Sequence, residues 1–222
     1  PLFVVTLQPR SIVERIDRMI ELVPEVITQA HERIIGGRTV PSEQKILSVY
    51  EPDVQVLVRG KAGREDEFGN TLLIAESPQG LILDWELYRE QAPAEWRQLQ
   101  DSVERQTGFD LSAPIAAAAA DRGFSAARGA EQLAQRGIYD AVCPKDPEQL
   151  RQRFEDDRFA GLQKRRGSTE GRIAILKQRQ GRRLRCRGFD HRYLAVAWGV
   201  LGHNLWLVAR LLTDQQKIAA AA

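Results

Sequence analysis

The run from Pro114 to Asp121, Pro-Ile-Ala-Ala-Ala-Ala-Ala-Asp, constrains the fold more than any other stretch. Alanine has the highest helix propensity, but the surroundings leave a helix little room. Pro114 precedes the run, Arg122-Gly123 interrupts it, and another helix-like stretch, 126–136, follows at once. A thin strand covered by helices on both faces suits these residues better. Leu111–Asp121 is therefore expected to be a buried central strand.

The other elements arrange themselves around that strand. Apolar residues at helical spacing from Ile12 to Val23 predict a helix capped by Ser11. Pro24 breaks that pattern or opens a second helix, Glu25–Ile35, which Gly36-Gly37 ends. His31 in this region is expected to be structural or exposed. Four short aliphatic runs follow: Lys45–Tyr50, Val54–Arg59, Thr71–Ser77 and Leu81–Leu87. Gly, Pro and Asn punctuate them, which predicts an antiparallel meander with Ser77-Pro78-Gln79-Gly80 as its tightest turn. Glu65-Asp66-Glu67 reads as a charged turn, and Asp84 and Glu86 as the solvent face of a strand. A helix is predicted over 93–108, with Trp96, Leu99 and Val103 on one face, then a helix over 126–136 and a strand over 139–143. The charged segment 144–160 is partly helical, 168–180 is helical, and 190–212 is an apolar helix with Trp198, His203 and Trp206 in the core. The tail 214–222 is expected to fray. This order implies an α/β chain with a mixed sheet flanked by helices, preceded by an N-terminal helical segment. The expected division is a helical segment over 1–44, a main domain over 45–213 and the tail.

Charge is distributed unevenly. The net charge is only +2, yet residues 161–192 carry +9 and residues 1–160 carry −8. Lys164–Arg187 holds ten Lys or Arg and one acid, Glu170. Such a stretch suits a polyanion. Lys164, Arg165, Arg166, Arg172, Lys177, Arg182, Arg183 and Arg185 are the candidate DNA contacts, the last three on an arm beyond Gly181. The two cysteines, Cys143 and Cys186, have neither zinc spacing nor a disulfide framework around them. No signal peptide is evident. Tyr193–Leu212 is the nearest approach to a membrane span, but its Trp, His, Asn and Arg mark a buried helix. The chain starts at Pro1, so it is expected to be a fragment.

Several carboxylates could hold metal. Two-metal phosphoryl transfer needs about three converging acids that hold two cations about 4 Å apart. Hard cations such as Mg²⁺ prefer oxygen ligands. Asp121 ends the central strand and suits either a ligand or a helix cap. Glu51 and Asp53, at i and i+2, point to one side of an extended chain and could share a site or sit solvated in a turn. Glu170 shares a helix face with Arg166 and Lys177. That face could place a carboxylate on metal between two phosphate-binding cations, or it could be a set of surface ion pairs.

These residues together resemble the catalytic domain of bacterial insertion-sequence transposases of the DDE type. Tyr50-Glu51-Pro52-Asp53, with Arg59-Gly60-Lys61-Ala62-Gly63 and Glu67-Phe68-Gly69, resembles the first-acid segment. Ala120-Asp121-Arg122-Gly123-Phe124 resembles the second. Arg166, Glu170 and Lys177 match the spacing of the family's Y-R-E-K signature, with Gln163 where the family has Tyr. The resemblance spans about residues 40–212. It implies a ribonuclease-H-like fold and two Mg²⁺ (Mn²⁺ substituting) held by Asp121, Glu170 and either Glu51 or Asp53, with Glu51 the better aligned. It also implies cleavage of double-stranded DNA at an element's ends, strand transfer into target DNA, and phosphate contacts from Arg166 and Lys177. The expected assembly is a homodimer on DNA in the bacterial cytoplasm, at the nucleoid. The DNA-binding helices that usually precede such a domain are expected to be mostly missing from this chain. A related metal-dependent nuclease and an inactive remnant that only binds DNA are the competing expectations.

Overall fold

The computed structural model describes residues 9–41, 45–51, 53–61, 64–108, 114–179, 184 and 186–221. By contact they group into two compact units, Pro1–Asn70 with Arg89–Gln91, and Thr71–Tyr88 with Ala92–Ala222. The first hairpin thus groups with the N-terminal helix.

In the first unit, α1 runs unbroken over Pro9–Ile34 with Pro24 inside it. Proline cannot donate to the carbonyl one turn back, and here that costs one bond without ending the helix. Thr28 Oγ1 donates to the Pro24 carbonyl at 2.9 Å. The helix pair expected here is therefore one helix. The strand expected at Lys45–Tyr50 does not form. The backbone N–H and carbonyl of Ile46 are taken by the Gln29 side-chain amide of α1, at 2.8 and 3.2 Å, in place of a neighbouring strand. β1 (Gln55–Lys61) and β2 (Arg64–Gly69) form an antiparallel hairpin. Glu65-Asp66-Glu67, expected as a turn, belongs to β2.

In the second unit, β3 (Leu72–Glu76) and β4 (Ile82–Leu87) pair antiparallel around the predicted Ser77–Gly80 turn. Gly80 has φ +95°, and a Cβ there would lie 2.4 Å from the Arg172 guanidinium carbon, so conformation and space both call for glycine. Helix α2 (Glu95–Thr107) follows. Asp84 is buried and receives two hydrogen bonds from Arg105, at 2.9 and 2.8 Å, so it ties β4 to α2 and does not face solvent. The alanine run forms β5 (Ala117–Ala120), parallel to β6 (Tyr139–Val142), with α3 (Ala127–Gln135) between them in sequence. Val103, Ala118, Leu133 and Ile138 form a core between α2, α3 and β5. The methyl side chains of β5 admit helices on both of its faces, as the sequence suggests.

Helices α4 (Pro147–Phe154), α5 (Asp157–Arg179) and α6 (Phe189–Ala221) complete the chain. A second core, Ile82, Leu87, Leu176, Phe189, Val196 and Val200, joins β4, α5 and α6. The tail expected to fray continues as the last turns of α6. That helix is long and apolar enough, by length and composition, to cross a membrane over Phe189–Ala219. It is buried on one side only. His203 is in the core as expected, but Trp198 is 70% exposed and Trp206 is 45% exposed.

The chain is a mixed α/β protein, but among the described residues its strands pair two by two and form no single mixed sheet. Side-chain amides occupy backbone groups that a further strand would need. Asn204 of α6 bonds both the N–H and the carbonyl of Ile82, at 2.9 and 2.8 Å. Within the β5/β6 pair itself, Gln163 of α5 donates to the carbonyls of Ala120 and Ala141 and so holds that helix to the strands.

Asp156 sits at the start of α5 and accepts from the Arg158 N–H at 2.8 Å. The Tyr139 hydroxyl also donates to it, which holds the Asp156 carboxyl below its ordinary range and raises the Tyr139 hydroxyl. A lowered folded-state pKa stabilises the protein above the ordinary carboxylate range, and this stability is lost as pH falls through the folded value. Urea midpoints between about pH 6 and pH 3 should therefore fall further for the unsubstituted chain than for Asp156→Asn.

Candidate active site

The parallel pair β5/β6 sets the site. In open α/β sheets the crevice outside the carboxyl ends of the strands is where ligands bind. Asp121 follows the last residue of β5. Its Oδ1 accepts from the Gly123 N–H at 3.0 Å and so caps a short 3₁₀ turn, Arg122–Phe124. The cap reading thus holds for Asp121, whose other oxygen accepts no hydrogen bond among the described residues. A Cβ at Gly123 would lie 1.8 Å from Glu95 Oε2 and 3.2 Å from Asp121 Oδ1. The Glu95 carboxylate therefore fills the space that a side chain at Gly123 would need, with Asp121 Oδ1 beside it.

Helix α5 is indexed to these strands. Arg158 donates to the carbonyl of Ala116, just before β5, at 3.3 Å, and Gln163 donates to the carbonyl of Ala120, at its end, at 3.1 Å. The helix therefore runs in the same direction as the strand. Glu170 comes seven residues after Gln163, about 10 Å further along the axis at 1.5 Å per residue, past the strand ends and on nearly the same helix face. Arg166 stands between them. Its Nε donates to Gln163 Oε1 at 2.9 Å, and its Nη1 is 3.7 Å from Glu170 Oε1. Glu170 itself is 77% exposed. Gln163 is buried and holds the helix to the strands. Cys143, just beyond β6, reports on the same corner. Burial raises its thiol pKa, the Arg166 charge opposes that, and the Asp121 charge adds to it.

A buried carboxylate locks the outer part of α5. Glu76, at the end of β3, pairs with Arg165 at 3.0 Å and with Arg172, and accepts from Thr169 Oγ1 at 2.8 Å. Arg165 also donates to the carbonyls of Pro78 and Ser77, at 2.6 and 3.1 Å. Arg165 and Arg172, expected on DNA, are thus occupied within the fold. Lys164, next to them, is exposed. Two variants separate these roles. Lys164→Ala should lower the slope of log affinity against log salt by about 0.9, the value for one lost phosphate contact, with an unchanged melting temperature. Arg165→Ala should lower the melting temperature and leave that slope within error.

The other predicted residues belong to the first unit or lie outside the described residues. Glu51 and Asp53 belong to the first unit. The Glu51 N–H donates to Ser48 Oγ at 3.1 Å. Asp53 pairs with Arg89 at 3.6 Å, and its carbonyl accepts from Asn70 at 2.7 Å. Arg182, Arg183 and Arg185 and the side chain of Lys177 lie outside the described residues. Among the described residues, no three His, Cys, Asp or Glu side chains are gathered as a metal-binding group.

Three residues escaped the sequence reading. Glu95 looked like an ordinary acid in a first helical turn. Arg122 and Lys145, exposed just past β5 and β6, carried no signal beyond adjacency to Asp121 and Cys143. By donor type alone the carboxylates on these elements suit a hard divalent cation. Asp121, Glu95 and Glu170 offer only carboxylate oxygens, and those of Glu95 and Asp121 both lie beside Gly123. Comparison with protein-family models, with characterised proteins and with solved structures returned no match.

Proposed function

We propose that this chain is the catalytic part of a DDE-type DNA transposase, with a ribonuclease-H-like core, acting on DNA in the bacterial nucleoid. One observation supports the reading: Arg158 and Gln163 anchor α5 to the Ala116 and Ala120 carbonyls of the strand that Asp121 follows, and the same helix carries Glu170 two turns further on. Those two acids are the second and third ligands that the sequence resemblance implies. Asp121 and Glu170 would hold Mg²⁺. The bound cation would activate the attacking oxygen and stabilise the leaving one. Arg166 is fixed by Gln163 and directs its remaining donors toward a phosphate. Lys164 and Arg122 add exposed positive charge nearby. Glu51, or Asp53 in its place, is the first acid in this reading.

The test is incubation of the purified chain with Mg²⁺ and DNA carrying the sequences that flank its own coding region. Cleaved ends joined to a target plasmid support a transposase. Cleavage without joining supports a nuclease. Binding without either supports a remnant.

A further inference from the structure

Helix α6 has two contrasting sides. Val196, Val200, His203 and Leu207 are buried against the second unit. On the other side Leu194, Trp198, Leu201, Leu205, Val208 and Leu212 stand 42% to 70% exposed. Their spacing of four, three, four, three and four residues is that of a helix–helix seam. From Tyr193 to Ala209 there is no Asp, Glu, Lys or Arg to solvate that face. Ala195, Ala197, Gly202 and Ala209 beside the seam are small enough to admit another helix closely.

We propose that this face is where two copies of the chain associate, with their α6 helices packed antiparallel. The spacing reads the same from either end, so the seam is self-complementary, as a two-fold interface requires. An axis crossing at the level of residue 203 opposes Leu194 with Leu212, Trp198 with Val208, and Leu201 with Leu205. Parallel pairing would instead set Trp198 against Trp198. The exposed seam measures on the order of 600 Å² per copy, the upper end for a monomer's largest apolar patch. It also approaches the roughly 800 Å² per partner of a standard interface. A bilayer fits this helix less well. Its other side is tied down by His203 Nε2, 3.0 Å from the Gly80 carbonyl, and by Asn204 on Ile82, contacts that insertion would break.

This pairing goes beyond the proposed activity and can fail separately from it. A monomer that still joins DNA would overturn the pairing alone, and a dimer that cleaves nothing would overturn the transposase reading alone. Sedimentation equilibrium without DNA should give twice the monomer mass. Leu205→Lys and Trp198→Lys, both at exposed positions, should each weaken association at least about a hundredfold, with helical circular dichroism unchanged. With Cys143 and Cys186 replaced by Ser, a mixture of Leu201→Cys and Leu205→Cys chains should oxidise mainly to the mixed dimer. Preferential oxidation of each variant with itself would overturn the antiparallel arrangement. The pairing would be overturned by a monomeric unsubstituted chain, by a dimer that both lysine variants preserve, or by flotation of the unsubstituted chain with phosphatidylcholine vesicles.

Discussion

Glu170→Gln should reduce Mg²⁺-dependent DNA cleavage about a thousandfold, on the order of 4 kcal/mol of transition-state stabilisation, while stability barely changes. The two effects separate because of where the residue sits. Its carboxylate is 77% exposed, and its one ion pair, with Arg166, spans 3.7 Å at the surface. Such pairs contribute a few tenths of a kcal/mol. A charge retained at so exposed a place on a helix fixed this firmly has more to offer a ligand than the fold. Single-turnover cleavage rates and thermal melts on one preparation check both halves. Equal rates in the two proteins would remove Glu170 from the site, and equal absence of cleavage would remove the enzyme readings. Asp121→Asn should also suppress cleavage, but it weakens the cap on Gly123 as well, so Glu170 is the cleaner probe.

The largest loss of stability is expected at a residue that touches no substrate. Glu76→Ala should cost about 3 kcal/mol, because removing one partner of a buried ion pair strands the others. At this chain length that lowers the melting temperature by about 10 °C. Glu76 is 8% exposed and is shared by two guanidinium groups and a hydroxyl, so three donors lose their acceptor together. Arg172→Ala should cost less, since Arg165 and Thr169 would still satisfy the carboxylate. A melting temperature within about 2 °C of the unsubstituted chain would show that solvent readily replaces these contacts.

Periodicity and punctuation made much of the fold legible. The alanine strand, the Ser77–Gly80 turn, α2, α3 and β6 all stand near their expected places. Local signals describe a segment's own preferences, and the misses arose where distant residues decided. Lys45–Tyr50 has strand composition, but Gln29 takes the backbone groups of Ile46. Asp84 alternates like a solvent-facing residue until Arg105 reaches it from α2. Apolar composition marked 190–212 as a core helix but did not show that one side would stay uncovered, so Trp198 read as core. At the candidate site, the turn that Asp121 caps and the helix face shared by Arg166 and Glu170 were legible from order and spacing. Glu95 was not, because its nearness to Asp121 depends on the close approach of two elements at Gly123. Arg165 and Arg172 looked like free cations because their partner, Glu76, lies nearly ninety residues upstream.

The amide of Gln163 also sets a phase. Successive residues of a helix turn by 100° and rise by 1.5 Å, and Gln163 fixes where that count begins relative to the strands. One residue inserted between Gln163 and Glu170 would swing the carboxylate about a quarter-turn from its bearing, and would move Arg172 out of register with Glu76. An insertion beyond Arg172 would leave both alignments intact. Tolerance to length change along this helix should therefore shift sharply from one turn to the next.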